Sequence, residues 1–290
     1  MLVGRWMMAR VVALVMIAGI APPPAAFAQT VNGLFVAPPA QPLNVGDAIR
    51  AAAAYHGSAA YERDLSAVTR AAIAWISEAA PHSPRPAVVL DIDETALSNW
   101  EVIRRDDFGR PIGGPCLAGG TDPCGWAAWD MLASDVAITP VLNLFRRARE
   151  LGIAVVFITG RPENQRTATE TNLRTAGFAG YEAIYMTPDG ARFASAADFK
   201  TPIRVRLEKD GYTIIANVGD QPSDLLGGHA EKIFLLPNPF YRAPWRAPAR
   251  GGTRTPAGLP HTLRAARAGG VTLVAAPSEP SSFLRQVGSK

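Results

Sequence analysis

A three-layer α/β fold, a doubly wound parallel sheet with a small cap insertion, is what this sequence predicts, and three observations predict it. Short β-branched apolar runs alternate with segments of helical periodicity between residues 44 and 242. Those runs are continuous rather than alternating, as strands buried on both faces are. Several end on glycines and carboxylates, and open α/β sheets bind their ligands beyond the carboxyl ends of their strands. Strands that take turns with helices in this way form a parallel sheet covered on both sides.

The elements follow in order. Arg5 and Arg10, the apolar stretch from Val11 to Ala21 and the Ala26-Phe27-Ala28 site have the three-part form of a secretory signal over residues 1–28. That stretch is too short to cross a bilayer, and no Cys stands beside the site to carry a lipid. A periplasmic or secreted protein starting at Gln29, with no stable membrane anchor, is therefore expected. Residues 29–43, with Pro38, Pro39 and Pro42, read as an extended leader. Ile49, Ala53, Leu65, Val68, Ala72, Ile73 and Ile76 have helical spacing, and Gly57 divides them into two helices.

Ala87 to Leu90, between Pro86 and Asp91, is the first strand. Residues 96–138 then break the rhythm, with clustered glycines, both cysteines, Trp100, Trp126 and Trp129. An insertion at that point is placed to act as a cap. Thr139-Pro140 starts a helix with Pro at its first position, Val141, Leu142, Leu144, Phe145 and Ala148 form its buried face, and Gly152 stops it. Ile153 to Ile158 is the second strand, Glu163 to Ala176 a helix, and Tyr181 to Met186 the third strand. Ile214 to Val218 and Ile233 to Leu236 are the fourth and fifth. Residues 243–290, rich in Ala, Arg, Gly and Pro without periodicity, read as a disordered tail.

The net charge of +4 includes Arg5 and Arg10, and much of the remaining basic excess is C-terminal. The balance is therefore no argument for a nucleic-acid polymer as partner. Cys116 and Cys124 lie close together, and no further Cys or His completes a zinc set. In an oxidising compartment a disulfide is expected over two free thiols.

Chemistry concentrates at the strand ends. Asp91-Ile92-Asp93-Glu94-Thr95 puts two carboxylates directly after the first strand. An Asp there can attack phosphorus as a covalent nucleophile, and one two residues on can protonate the leaving oxygen and then activate water. Thr159-Gly160-Arg161 follows the second strand, where a hydroxyl and the N–H groups of a glycine turn can hold phosphate oxygens. Lys200 can screen the repulsion between a carboxylate and a phosphate. Gly219-Asp220-Gln221-Pro222-Ser223-Asp224 follows the fourth strand and supplies oxygen donors suited to Mg²⁺. Each piece alone has a plain structural reading as turn, surface charge or helix cap. Their joint order is the strong signal.

On these residues the chain resembles the haloacid dehalogenase superfamily of phosphohydrolases. It is most similar to the secreted acid phosphatases of classes B and C and to the plant acid phosphatase and vegetative storage proteins. The likeness runs from about residue 44 to Leu236-Pro237-Asn238-Pro239-Phe240-Tyr241. It implies Asp91 as nucleophile and Mg²⁺ ligand, and Asp93 as general acid/base that also offers its backbone carbonyl to the metal. It further implies Thr159, Gly160 and Arg161 at the phosphoryl group, Lys200 stabilising the phosphoaspartate, and Asp220 and Asp224 at the metal. The implied activity is hydrolysis of a small-molecule phosphomonoester. A storage or binding protein on the same scaffold, or a phosphotransferase, is the alternative. A histidine-dependent phosphatase is disfavoured, because none of the four His lies in an Arg-His-Gly run. Trp126 and Trp129 either stack on a substrate ring, which leads to nucleoside monophosphates, or form the cap's own core. No oligomeric state is read from the sequence.

Overall fold

The computed structural model describes residues 42–113 and 125–243. The expected signal segment, nearly all of the leader, Cys116, Cys124 and the tail beyond Ala243 lie outside the described residues.

Two helices come first. In α1, Val45–His56, the Asn44 side chain accepts from the Gly46 N–H at 2.9 Å; in α2, Ala59–Ala79, Ser58 caps the start. Gly57 separates them, as its position between two apolar stripes anticipates. The first strand, β1, spans Pro86–Leu90. The insertion follows with β2 (Leu97–Ser98), α3 (Trp100–Arg105), α4 (Gly125–Asp130) and β3 (Val136–Ala137). Leu97 pairs with Ala137 and Ser98 with Val136 in an antiparallel ladder that closes the insertion at its base. Beyond it lie α5 (Thr139–Glu150), β4 (Ala154–Pro162), α6 (Arg166–Thr175), β5 (Ala183–Thr187), α7 (Ala196–Lys209), β6 (Thr213–Gly219), α8 (Pro222–Leu225) and β7 (Ile233–Leu235).

The five long-range strands form one parallel sheet in the order β5-β4-β1-β6-β7. Chain order therefore runs outward from β1 to one edge and then crosses to the other side. Side chains of β1 alternate between the two faces. Val88 and Leu90 pack with Ile76 of α2 and with Leu144 and Phe145 of α5; Val89 packs with Leu207 and Ile203 of α7. Two helical layers with the sheet between them are thus fixed by one strand's alternation. Each fully buried aliphatic side chain among them contributes about 1.5–3 kcal/mol. The Trp75 indole donates to the Ile215 carbonyl at 2.7 Å and ties α2 to β6.

Two differences from the sequence reading bear on the cavity. Helix α7 was not expected, because Pro202 lies inside it. Its start is set by a capping box in which Ser195 and Asp198 satisfy each other's backbone. Strand β4 runs on through Pro162 instead of stopping at Ile158, with a register irregularity against β5.

Candidate active site

Asp91 is the first residue past β1, and its N–H continues the ladder to the Val218 carbonyl at 3.1 Å. The chain then turns sharply. The N–H groups of Thr95, Ala96 and Leu97 all point to the Ile92 carbonyl, at 3.2, 2.8 and 2.9 Å, and Glu94 takes a left-handed φ of 51°. Asp91 and Asp93 both face one cavity of about 350 Å³, which Gly160, Lys200, Asp220 and Asp224 also line. The carboxyl ends of three adjacent strands, β1, β4 and β6, and the first turns of α7 meet there.

Lys200 bridges two carboxylates: its Nζ donates to Asp91 Oδ1 and lies 2.8 Å from Asp224 Oδ1. Burial alone would lower its pKa, but Asp224 and Asp91 raise it, so the ammonium stays charged. Asp224 in turn accepts the Gln221 N–H at 2.9 Å as part of a capping box. Gly219 is required here, since a Cβ would stand 2.6 Å from the Asp224 Cβ and Oδ2. Asp220 is held by Thr95 Oγ1 at 3.3 Å, Gln221 Nε2 at 2.6 Å and Asn238 Nδ2 at 2.5 Å. Asn238 belongs to the motif that closes the resemblance, but no role was assigned to it there; its orientation of Asp220 is visible only in three dimensions.

Carboxylate oxygens of Asp91, Asp220 and Asp224 lie within 4.8 Å of one another. Burial and then the neighbouring carboxylates push Asp220 up to about 7. Burial also raises Asp91; Lys200 works against this, but Asp224, Asp220 and Asp93 add to it. Crowded acidic oxygens that resist ionising are what a hard divalent cation relieves, so this donor set fits such an ion. Asp93 offers its side chain elsewhere. Arg161 Nε and Nη2 donate to its Oδ1 at 2.9 and 2.7 Å, and Asn99 Nδ2 donates to the same oxygen at 2.8 Å. Burial would raise Asp93, yet the Arg161 guanidinium, Asn99 and Arg110 outweigh it and hold the carboxyl below its usual range.

Three residues expected at the substrate, Arg161, Trp126 and Trp129, do not line the cavity. Arg161 is 2% exposed and turned into a carboxylate cluster, with Asp135 Oδ2 at 3.1 Å and Asp130 Oδ1 at 3.3 Å besides Asp93. Its guanidinium is ion-paired with these three carboxylates. Trp126 and Trp129 are 2% and 9% exposed and do not line the cavity. Trp126 packs at a steep angle on Tyr241, and Trp129 donates Nε1 to Asp135 at 2.6 Å, so both indoles belong to the insertion's own core. Thr159 is fully buried, its hydroxyl accepting the Arg161 N–H at 3.1 Å, while Gly160 reaches the cavity. The aromatic rings that do line it are Phe193 and Tyr241.

Comparison with known proteins gives the family and the fold. The chain is 30% identical over 184 residues to the stem 28 kDa glycoprotein of Glycine max, covering 62% of this chain and 69% of that protein. It is 30% identical over 158 residues to acid phosphatase 1 of Solanum lycopersicum, of which it spans 59%, and 29% identical to vegetative storage protein 2 of Arabidopsis thaliana, of which it spans 56%. The class C acid phosphatase from Bacillus anthracis shares the fold, with a TM-score of 0.54 at 20% identity over 68% of this chain and 86% of that one. The family model of the HAD superfamily, subfamily IIIB (acid phosphatase), matches residues 45–244, and the chain belongs to that family.

Proposed function

We propose that this phosphatase hydrolyses small phosphomonoesters through a phosphoryl group carried on Asp91, with Mg²⁺ as its metal. The observation that supports this most is the Asp91 carboxylate at the mouth of β1, bonded to a charged Lys200 and facing Asp220 and Asp224. An Asp91 oxygen attacks phosphorus, the ester P–O bond breaks, and the leaving oxygen takes a proton from Asp93. Asp93 then accepts a proton from water as the water oxygen attacks phosphorus, the P–O bond to Asp91 breaks, and phosphate is released. The three donors to Asp93 among the described residues go to Oδ1, so Oδ2 is the oxygen proposed to carry the proton. Because Arg161 favours the ionised form of Asp93, acid conditions assist the first half of this cycle and the ionised carboxylate serves the second. Lys200 holds Asp91 and Asp224 in place and offsets the charge gathered at phosphorus. Asp91, Asp220 and Asp224, with the Asp93 carbonyl, would hold Mg²⁺, whose charge would polarise the phosphoryl oxygens.

Nucleoside monophosphates remain a substrate class within this proposal. A base entering the cavity would meet Phe193 or Tyr241, not Trp126 or Trp129. Export to the periplasm or beyond is the location we propose, on the signal-like segment from Arg5 to Ala28, together with a Cys116–Cys124 disulfide. No helix among the described residues is long and apolar enough to cross a membrane. The relatives named as storage proteins favour a second reading, a protein that binds without turnover. Phosphate release from a panel of phosphomonoesters, with Mg²⁺ and with EDTA, separates the two: a catalyst shows Mg²⁺-dependent turnover, and a storage protein shows none.

A further inference from the structure

Two cations line the active-site cavity, and they are placed very differently. Lys200 is bonded to Asp91 and Asp224. Arg110, contributed by the insertion, has no ion pair among the described residues, and its Nε has no hydrogen-bond partner. Its guanidinium carbon lies 4.6 Å from the ring centroid of Trp126 and 5.1 Å from that of Tyr241. Aromatic rings take up the faces of a guanidinium and leave its in-plane N–H groups as donors. The backbone beside it is pinned as well. The Trp126 N–H donates to the Pro111 carbonyl and the Ala127 N–H to the Ile112 carbonyl, both at 2.9 Å. Gly125 makes this approach possible, with φ of 75° and room for no Cβ, which would stand 2.7 Å from the Pro111 oxygen.

We propose that Arg110 is a specificity-determining residue that recognises a second anionic group, a carboxylate or a phosphate, on the leaving group of the substrate. The proposal rests on the phosphatase reading above and adds the substrate class to it. Arg110 lines the same cavity as Asp93, the group proposed to protonate the leaving oxygen, whereas Lys200 is paired with Asp91. Ile112, Pro188 and Phe193 also line the cavity, and their apolar side chains suit the carbon skeleton between the two anionic groups. A pre-positioned guanidinium gains most from an acceptor that can take two of its N–H groups at once, as carboxylates and phosphates do. Its role explains why the insertion places here a cation that has no ion pair among the described residues.

The test compares 4-carboxyphenyl phosphate with 4-carbamoylphenyl phosphate, esters of nearly equal shape, on the wild-type protein with Mg²⁺. A nucleoside 3′,5′-bisphosphate against the matching 5′-monophosphate asks whether phosphate is read as well as carboxylate. The anionic member of at least one pair should show kcat/KM higher by about tenfold, the scale of one charge-assisted contact. That ratio should fall toward one in Arg110→Gln, survive in part in Arg110→Lys, and shrink as salt is raised. Equal rates within both wild-type pairs would overturn the proposal, as would a ratio unchanged in Arg110→Gln. Equal losses on both members in Arg110→Gln would assign Arg110 to the transferring phosphoryl group instead. Should Arg110→Gln fail to fold, the wild-type ratios and Arg110→Lys decide. If the wild type turns over no ester, the phosphatase reading fails separately. Calorimetric binding of 4-carboxybenzylphosphonate against its carbamoyl counterpart then still tests Arg110, and equal affinities would refute its role.

Discussion

Asp91 has no substitute of equal geometry, since Asp93 is tied to Arg161 and Asn99 while Asp220 is tied to Gln221 and Asn238. Asp91→Asn should therefore lower turnover by about 10,000-fold or more while leaving the melting temperature near that of the wild type. Near-normal phosphate release by that variant would remove Asp91 from its role. Behind it, Glu94 is fully buried, accepts the Asn99 N–H on one oxygen and has no partner for the other among the described residues. Burial, with Asp93 and Asp135 adding to it against the Asn99 bond, pushes it up from 4.5 to about 8. Asp130, raised from 3.8 to about 7 by burial and by Asp93 and Asp135 against the pull of Arg161, acts in the same direction. Between these pairs of values the folded chain holds protons that the unfolded chain has released, so stability falls as pH rises from about 4 to about 8. Melting curves across that range should show the decline, and Glu94→Gln should flatten it. Asp91 and Asp93 were legible as candidates from the joint order of the DxDxT, TGR, Lys200 and GDxxxD pieces, which DxDxT alone would not have settled. The partners of Arg161 were not, because Asp93, Asp130 and Asp135 reach it over long sequence separations that no local pattern encodes.

The strands were readable because each is a short apolar run ending in punctuation, and α5 because its buried face repeats at helical spacing. Helix α7 was hidden by Pro202, although Ser195 and Asp198 at its start carry the capping-box signature that would have revealed it. The indoles of α4 pose a different problem: composition placed them in the insertion, but which way a six-residue helix turns its rings depends on what it docks against. Here α4 docks against residues 110–112 and Tyr241. Trp126→Ala should accordingly cost about 3–5 kcal/mol in unfolding measurements, as core aromatic truncations do. A loss confined to KM for ring-bearing substrates, with stability intact, would instead restore the stacking role. At the turn after β6, Gly219→Ala would drive Asp224 away from Lys200. A displacement of that kind should lower kcat/KM by about 100-fold and raise the Mg²⁺ concentration needed for half-activity. Unchanged metal dependence in that variant would show that Asp224 plays no part in holding the ion.

Across the whole molecule, the order β5-β4-β1-β6-β7 brings the ends of β1, β4 and β6 side by side, and every group of the proposed reaction except Lys200 and Arg110 arrives on their loops. Mg²⁺ held by Asp91, Asp220 and Asp224 should join two of those strand ends. Stripping it with EDTA should abolish turnover and lower the melting temperature, and restoring Mg²⁺ should reverse both; activity untouched by thorough chelation would point to catalysis without a metal. The ladder between Leu97 and Ala137 has a further consequence. Because the insertion leaves and re-enters the sheet domain at neighbouring residues, a foreign segment of another length could be grafted between those points without stretching the catalytic loop. The graft has one condition. Arg161 belongs to the sheet, but two of its three carboxylate partners, Asp130 and Asp135, are carried by the insertion. A donor segment lacking such carboxylates would strand a buried guanidinium, and the chimera should fold poorly until an acidic residue is returned to that spot.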